Sequence, residues 1–147
     1  MEKKENKCIL EKWLSPYADC GLVFLRLGVG IVFLVHGIQK LMGIAMVSGF
    51  FGQLGIPVPM FFAWVVALVE TVGGVALILG FGARYAGLLL SVVMAVAVFI
   101  VHWSKGFSAS AGGYEYAFVL LMASLTFLFA GSGNKLSLEK KLCKKEC

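Results

Sequence analysis

Charge is scarce in this chain of 147 residues. Only 14% of its side chains are Asp, Glu, Lys or Arg, 60% are hydrophobic, and the mean hydropathy is +0.91. Soluble domains carry about 25% charge and 45–50% apolar residues, so the composition lies well outside the range of a water-soluble globule. Disorder is excluded too, because a disordered chain has little apolar surface to bury. The basic balance, a net charge of +5, does not point to nucleic acid, since the lysines crowd into the two tails. Proline is rare, with three residues. No G-x-G-x-x-G follows a strand, and no serine or cysteine nucleophile set is recognisable. Cys143 and Cys147 are spaced C-x-x-x-C rather than as the redox C-x-x-C pair. With Cys8 and Cys20 they fall on the side expected to be cytoplasmic, where thiols stay reduced.

What is present is a set of long uncharged stretches. Leu41 to Val69, Tyr85 to Val101 and Tyr116 to Asn134 contain no charged side chain. About 20 apolar residues at 1.5 Å each cross about 30 Å of hydrocarbon. The pattern predicts an all-α polytopic membrane protein, a bundle of four transmembrane helices. They run from about Cys20 to Gln39, Met60 to Leu79, Tyr85 to His102 and Tyr116 to Ala130. Residues 20–133 form this domain, between basic segments 1–19 and 134–147. The last of these reads as a short amphipathic stretch lying on anionic lipid. Four spans place both termini on one side. The tails and the Gly80–Arg84 turn hold ten basic residues, and the other two connections hold Lys40 and Lys105. The positive-inside rule makes that side cytoplasmic, N-in and C-in across the cell's inner membrane. No cleavable signal peptide is expected.

An ionisable residue at membrane depth is a functional hypothesis by default. Counting along the helices puts Arg26 about 9 Å in from one face and Glu70 about 15 Å in from the other. The remaining gap of about 6 Å predicts an Arg26–Glu70 ion pair. Ala63, Ala67, Glu70 and Gly74 form one small-residue stripe, and Arg26, Gly30, Phe33, Gly37 and Lys40 form another. The pair could simply fix which helix faces meet, or take part in proton or substrate handling; both readings stand.

A second polar set gathers at the outer end. His36 and His102 come out at matching depths, beside Gln39, Lys40, Tyr114 and Glu115. The candidate catalytic residues are His36, His102 and Glu115, and the candidate substrate-binding residues are Gln39, Lys40 and Tyr114. Such groups can donate to and accept from a planar carbonyl such as a quinone, or pass protons outward. The main rival is that both histidines simply sit hydrated at the headgroups; axial haem ligation and a divalent ion are the lesser alternatives. No spacing singles out haem or metal, and no metal is expected. The connection from about Met42 to Pro59 is too apolar for an ordinary loop. It is expected either as an interfacial hairpin or as a lid over the bundle mouth.

Several pieces resemble the DoxX family of small four-helix membrane proteins. They are RLGVGIVFLVHGIQKLMG (Arg26–Gly43), FFGQLGIPVP (Phe50–Pro59), ALVETVGGVALILGFGAR (Ala67–Arg84), HWSKGF (His102–Phe107), GGYEYAF (Gly112–Phe118) and GSGNKLSLE (Gly131–Glu139). Their order and spacing cover most of the chain. The resemblance implies a cytoplasmic-membrane protein with matching polar positions at Arg26, His36, Lys40, Glu70, Arg84, His102 and Glu115. Members are linked to quinol oxidase and thiosulfate:quinone oxidoreductase subunits, and to a membrane complex handling thiol and oxidative stress. The expectation is therefore a redox-associated subunit in the lipid bilayer, working with a redox partner protein on quinone or a small thiol-chemistry substrate. A non-enzymatic scaffold, assembly factor or small solute carrier is the alternative, and a homodimer stays open.

Overall fold

A computed structural model of the chain describes residues 13, 17–133, 137 and 138. The expectations for Cys8, Cys143, Cys147 and the amphipathic C-terminal segment therefore fall outside the described residues. Among those described, the molecule is helical and contains no strand. Five α-helices follow one another: α1 (Ala18–Met42), α2 (Ile44–Gln53), α3 (Pro59–Leu79), α4 (Ala83–Val96) and α5 (Glu115–Ala130). α4 runs on through a π-helical turn, Ala97–His102, and a 3₁₀ turn, Trp103–Lys105. Among the described residues three segments are long and apolar enough to cross a bilayer: Cys20–Met42, Pro59–Leu79 and Ala83–Lys105. α5 is equally apolar but shorter, at 16 residues.

The helices associate as two close pairs, α1 with α3 and α4 with α5, joined through α3 and α4; α1 and α5 barely touch. The α1–α3 seam is the one that the two small-residue stripes lead one to expect. Ala63, Ala67, Glu70 and Gly74 are all buried, as are Arg26, Gly30, Phe33 and Gly37. A Cβ at Gly74 would lie 2.6 Å from the backbone nitrogen of Leu34, and one at Gly37 would lie 2.5 Å from that of Thr71. Only glycine lets the backbones approach so closely, which is how helices gain contact where lipid supplies no hydrophobic drive. Leu90, Met94, Val98, Leu120 and Phe127 fill the α4–α5 side. Large apolar residues such as Phe24, Ile31, Val72, Leu89 and Val92 cover the outside. The membrane-facing reading of the helices accounts for them.

Hydroxyls on the helices, inside the bundle and on its exposed face at Thr126, are satisfied locally. Thr71, Ser91, Ser124 and Thr126 each donate to a carbonyl one turn earlier in their own helix. A bilayer demands this, because there is no water to take a stray donor.

Two boundaries differ from the sequence expectation. α1 is longer at both ends than the predicted 20–39. The apolar connection is not an extended loop: it forms α2, which packs on α3. Its run of apolar residues contains no proline before Pro57 to stop a helix. The chain then reverses at Pro57-Val58-Pro59, where Val58 adopts φ +46°. For a β-branched residue that conformation is strained by about 1–3 kcal/mol, and it aims the start of α3.

Candidate functional site

All the polar residues that the sequence places at depth belong to one of two ends. At the end carrying the turn between α3 and α4, Arg26 is 1% exposed. Its Nη1 donates to the Ser132 carbonyl at 2.9 Å. Gly80 makes room for the guanidinium: with φ +66°, a Cβ there would lie 2.3 Å from Nη1. Ser137 Oγ donates to the Gly80 carbonyl at 2.8 Å and meets Ser132 Oγ at 2.9 Å. This end is packed and cross-bonded.

Glu70 does not join it. The expected Arg26–Glu70 pair is not formed; Glu70 Oε2 instead accepts from Lys40 Nζ in an ion pair. The physical reason is side-chain direction, which counting depth along the helix leaves out. Side chains lean toward the N-terminus of their own helix. α1 and α3 are antiparallel, so Arg26 leans toward the Gly80 end while Glu70 leans away from it. Lys40 and Glu70 lean toward each other.

The Lys40–Glu70 pair borders a cavity of about 410 Å³ at the opposite end of the bundle. Phe33, His36 and Lys40 of α1 line it at 3–4 spacing, together with Val66 and Glu70 of α3. Tyr116, Ala117 and Leu120 contribute from α5, and Met46, Val47, Phe50 and Phe51 from α2. His102 reaches the cavity from the π-helical turn. π-turns recur at functional sites because the wider turn re-aims the side chains that follow it. The walls are mostly apolar, with a few polar tips, the make-up usual for small-molecule sites.

Two further polar contacts frame the cavity. The Tyr116 hydroxyl is hydrogen-bonded to His36 Nε2 at 3.3 Å, with ring centroids 5.9 Å apart. This bond links α1 to α5 across their sparse contact. His102 Nδ1 lies 2.7 Å from the Gly112 carbonyl. A carbonyl only accepts, so Nδ1 carries the hydrogen and a neutral ring keeps its lone pair at Nε2. The cavity thus offers a cation held by a carboxylate, a phenol on an imidazole, and a second imidazole of fixed tautomer.

Three other sequence candidates sit elsewhere. Gln39 is exposed and does not line the cavity. Tyr114 stacks on Trp103 at 5.2 Å and meets Phe107 edge-on at 5.5 Å. Glu115 accepts from the Ala109 backbone N–H at 3.0 Å and so ties down the loop before α5. Among the described residues no three of His, Cys, Asp or Glu come together as a metal-ligand set. Tyr116 is the residue that sequence reasoning missed. The available signal was its position: one residue into α5, it borders the cavity beside Ala117 and Leu120 while staying half exposed, whereas Tyr114 precedes the helix.

Comparison with known proteins adds to this geometry. The profile of the DoxX family matches residues 21–103. The chain is 33% identical over 114 residues to a Bacillus subtilis protein named "Putative oxidoreductase CatD", covering 78% of this chain and 81% of that one. It is 36% identical over 136 residues to an uncharacterized protein of Haemophilus influenzae, covering 90% and 98% of the two chains. An uncharacterized membrane protein of Mycobacterium tuberculosis is 31% identical over 135 residues, covering 84% and 82%. No solved structure matches the chain.

Proposed function

This chain belongs to the DoxX family of membrane proteins, and from that premise we propose that it is the quinone-binding subunit of a membrane oxidoreductase. The observation that carries this reading is the 410 Å³ cavity, apolar along its walls and set with Lys40–Glu70, His36–Tyr116 and His102. An apolar ring with oxygens at opposite edges suits such a site. The Lys40 ammonium, steadied by Glu70, orients one oxygen. The hydroxyl of Tyr116 and the imidazole of His36 sit beside the other and exchange a proton with it, and His102 Nε2 accepts or returns the second. Interconversion of a quinone and its quinol moves two electrons and two protons. The protons pass through these side chains, and a partner redox protein supplies or withdraws the electrons. The name carried by the Bacillus subtilis relative is in keeping with this assignment.

The same reading makes α5 the fourth span and places both tails in the cytoplasm, on the strength of the ten basic residues on that side. In right-side-out vesicles an impermeant maleimide then labels Ser108→Cys and spares Cys143 and Cys147. Labelling of the two tail cysteines would reverse the orientation.

Binding is tested by titrating the purified protein with menadione and following tryptophan emission, since Trp103 adjoins His102. Saturable quenching is expected in the wild type, with a marked loss of affinity in the His36→Ala/His102→Ala variant. Absence of saturable quenching, or an identical curve for the variant, would overturn the assignment.

A further inference from the structure

The route into the cavity follows from which parts of the molecule line it and which do not. The segment above it, between His102 and Tyr116, contributes no lining residue. That segment is instead knit shut. Tyr114 N–H donates to the Gly106 carbonyl at 3.1 Å, and Glu115 N–H to the Phe107 carbonyl at 2.9 Å. The Glu115 carboxylate takes the Ala109 N–H, His102 holds the Gly112 carbonyl, and Trp103, Tyr114 and Phe107 stack on one another. A ligand arriving through this loop would have to break several of these contacts together.

The flank is different. Four lining residues are also exposed on the outside: Tyr116 of α5, at 47% and held by its hydroxyl on His36, and on the flank Met46 and Phe50 of α2 and Val96 of α4, at 80%, 40% and 39%. The three flank residues are apolar, and no hydrogen bond or ion pair among the described residues joins α2 to α4. A slot rimmed by apolar side chains on a membrane-embedded surface opens toward lipid chains rather than toward water. The cavity itself, at about 410 Å³, lies at the lower end of the roughly 300–1,000 Å³ usual for ligand sites. It has room for a one- or two-ring head group and none for a long isoprenoid or alkyl chain as well.

We propose that the substrate enters sideways from the bilayer between α2 and α4, with its ring in the cavity and an aliphatic tail left lying against Met46, Phe50 and Val96. This rests on the quinone reading and narrows it: the substrate class is a tailed, membrane-dissolved quinone rather than a small water-borne one. The apolar α2, packed on α3, is then the threshold of the site.

The test uses the full chain in lipid nanodiscs and a naphthoquinone carrying a diazirine at the end of a short alkyl chain. After irradiation, the adducts are mapped by mass spectrometry, with and without excess menadione. The expected result is labelling concentrated on Met46, Phe50 and Val96 and suppressed by menadione. Labelling suppressed by menadione but falling on residues 103–113 would overturn sideways entry and leave the site assignment intact. Labelling that menadione does not suppress would overturn the site assignment, and the entry route with it. A Val96→Trp variant gives a second readout. Filling the rim is expected to slow association of the tailed quinone at least tenfold more than association of menadione; equal slowing of both ligands would contradict the proposal.

Discussion

The two ends of the bundle treat a buried charge in opposite ways. At the Gly80 end, Arg26 is surrounded: a carbonyl accepts from it, a glycine is shaped around it, and Ser137 bridges Gly80 to Ser132. At the cavity end, Lys40 and Glu70 satisfy each other and still border open space, as do His36 and Tyr116. The lesson is that depth alone does not make an ionisable residue functional. A charge spent on backbone carbonyls and packing holds the fold, whereas a charge balanced by another side chain beside a cavity stays available for chemistry.

This contrast can be broken most forcefully at Glu70. Glu70→Ala strands the Lys40 ammonium beside a largely apolar cavity; with Lys40 27% exposed, the loss falls at the low end of the range, about 3–5 kcal/mol, that breaking a buried pair costs. A large drop in the midpoint of thermal unfolding in detergent is expected. Removing the second charge as well, in Lys40→Met/Glu70→Leu, recovers most of it, because an apolar pair of similar volume is often as stable as the ions. Next comes Arg26→Ala, which forfeits a charged hydrogen bond and the packing of a long side chain, about 2–3 kcal/mol. Limited proteolysis should then cut readily after Ala130, while menadione affinity in the surviving folded protein stays within twofold of wild type.

Smaller effects sharpen the comparison. Tyr116→Phe removes one hydrogen bond between α1 and α5 without changing shape, worth about 1 kcal/mol. Menadione binding is expected to weaken about fivefold, with little change in unfolding midpoint. The smallest effect is expected of Gln39→Ala: an exposed side chain outside the cavity should shift stability by no more than about 0.5 kcal/mol and leave binding unaltered.

Much of this architecture was legible in the sequence, because a bilayer imposes a coarse code. Uncharged runs mark helices, and glycine and alanine at 3–4 spacing mark seams. Gly30, Gly37, Ala63, Ala67 and Gly74 all lie where that spacing puts them. The gathering of His36, Lys40 and His102 around one end followed from depth as well. Two things were not legible. The partner of Glu70 depends on the lean of side chains on antiparallel helices, an effect of a few ångströms that residue counting does not contain. Which tyrosine borders the cavity depends on where α5 begins. With Tyr114 and Tyr116 two residues apart, a shift of one or two positions decides which faces the cavity and which stacks on Trp103. The helical form of α2 was hidden for a related reason, since a ten-residue apolar run fits a buried hairpin as well as a short helix.

The central claim is that the Lys40–Glu70 pair belongs to a binding site and not only to the scaffold. Its most direct measurement is menadione affinity in the Lys40→Met/Glu70→Leu variant, taken alongside its unfolding midpoint. The account predicts a folded protein with a midpoint near that of wild type and affinity reduced at least tenfold. A variant that folds equally well and binds menadione as tightly as wild type would contradict it.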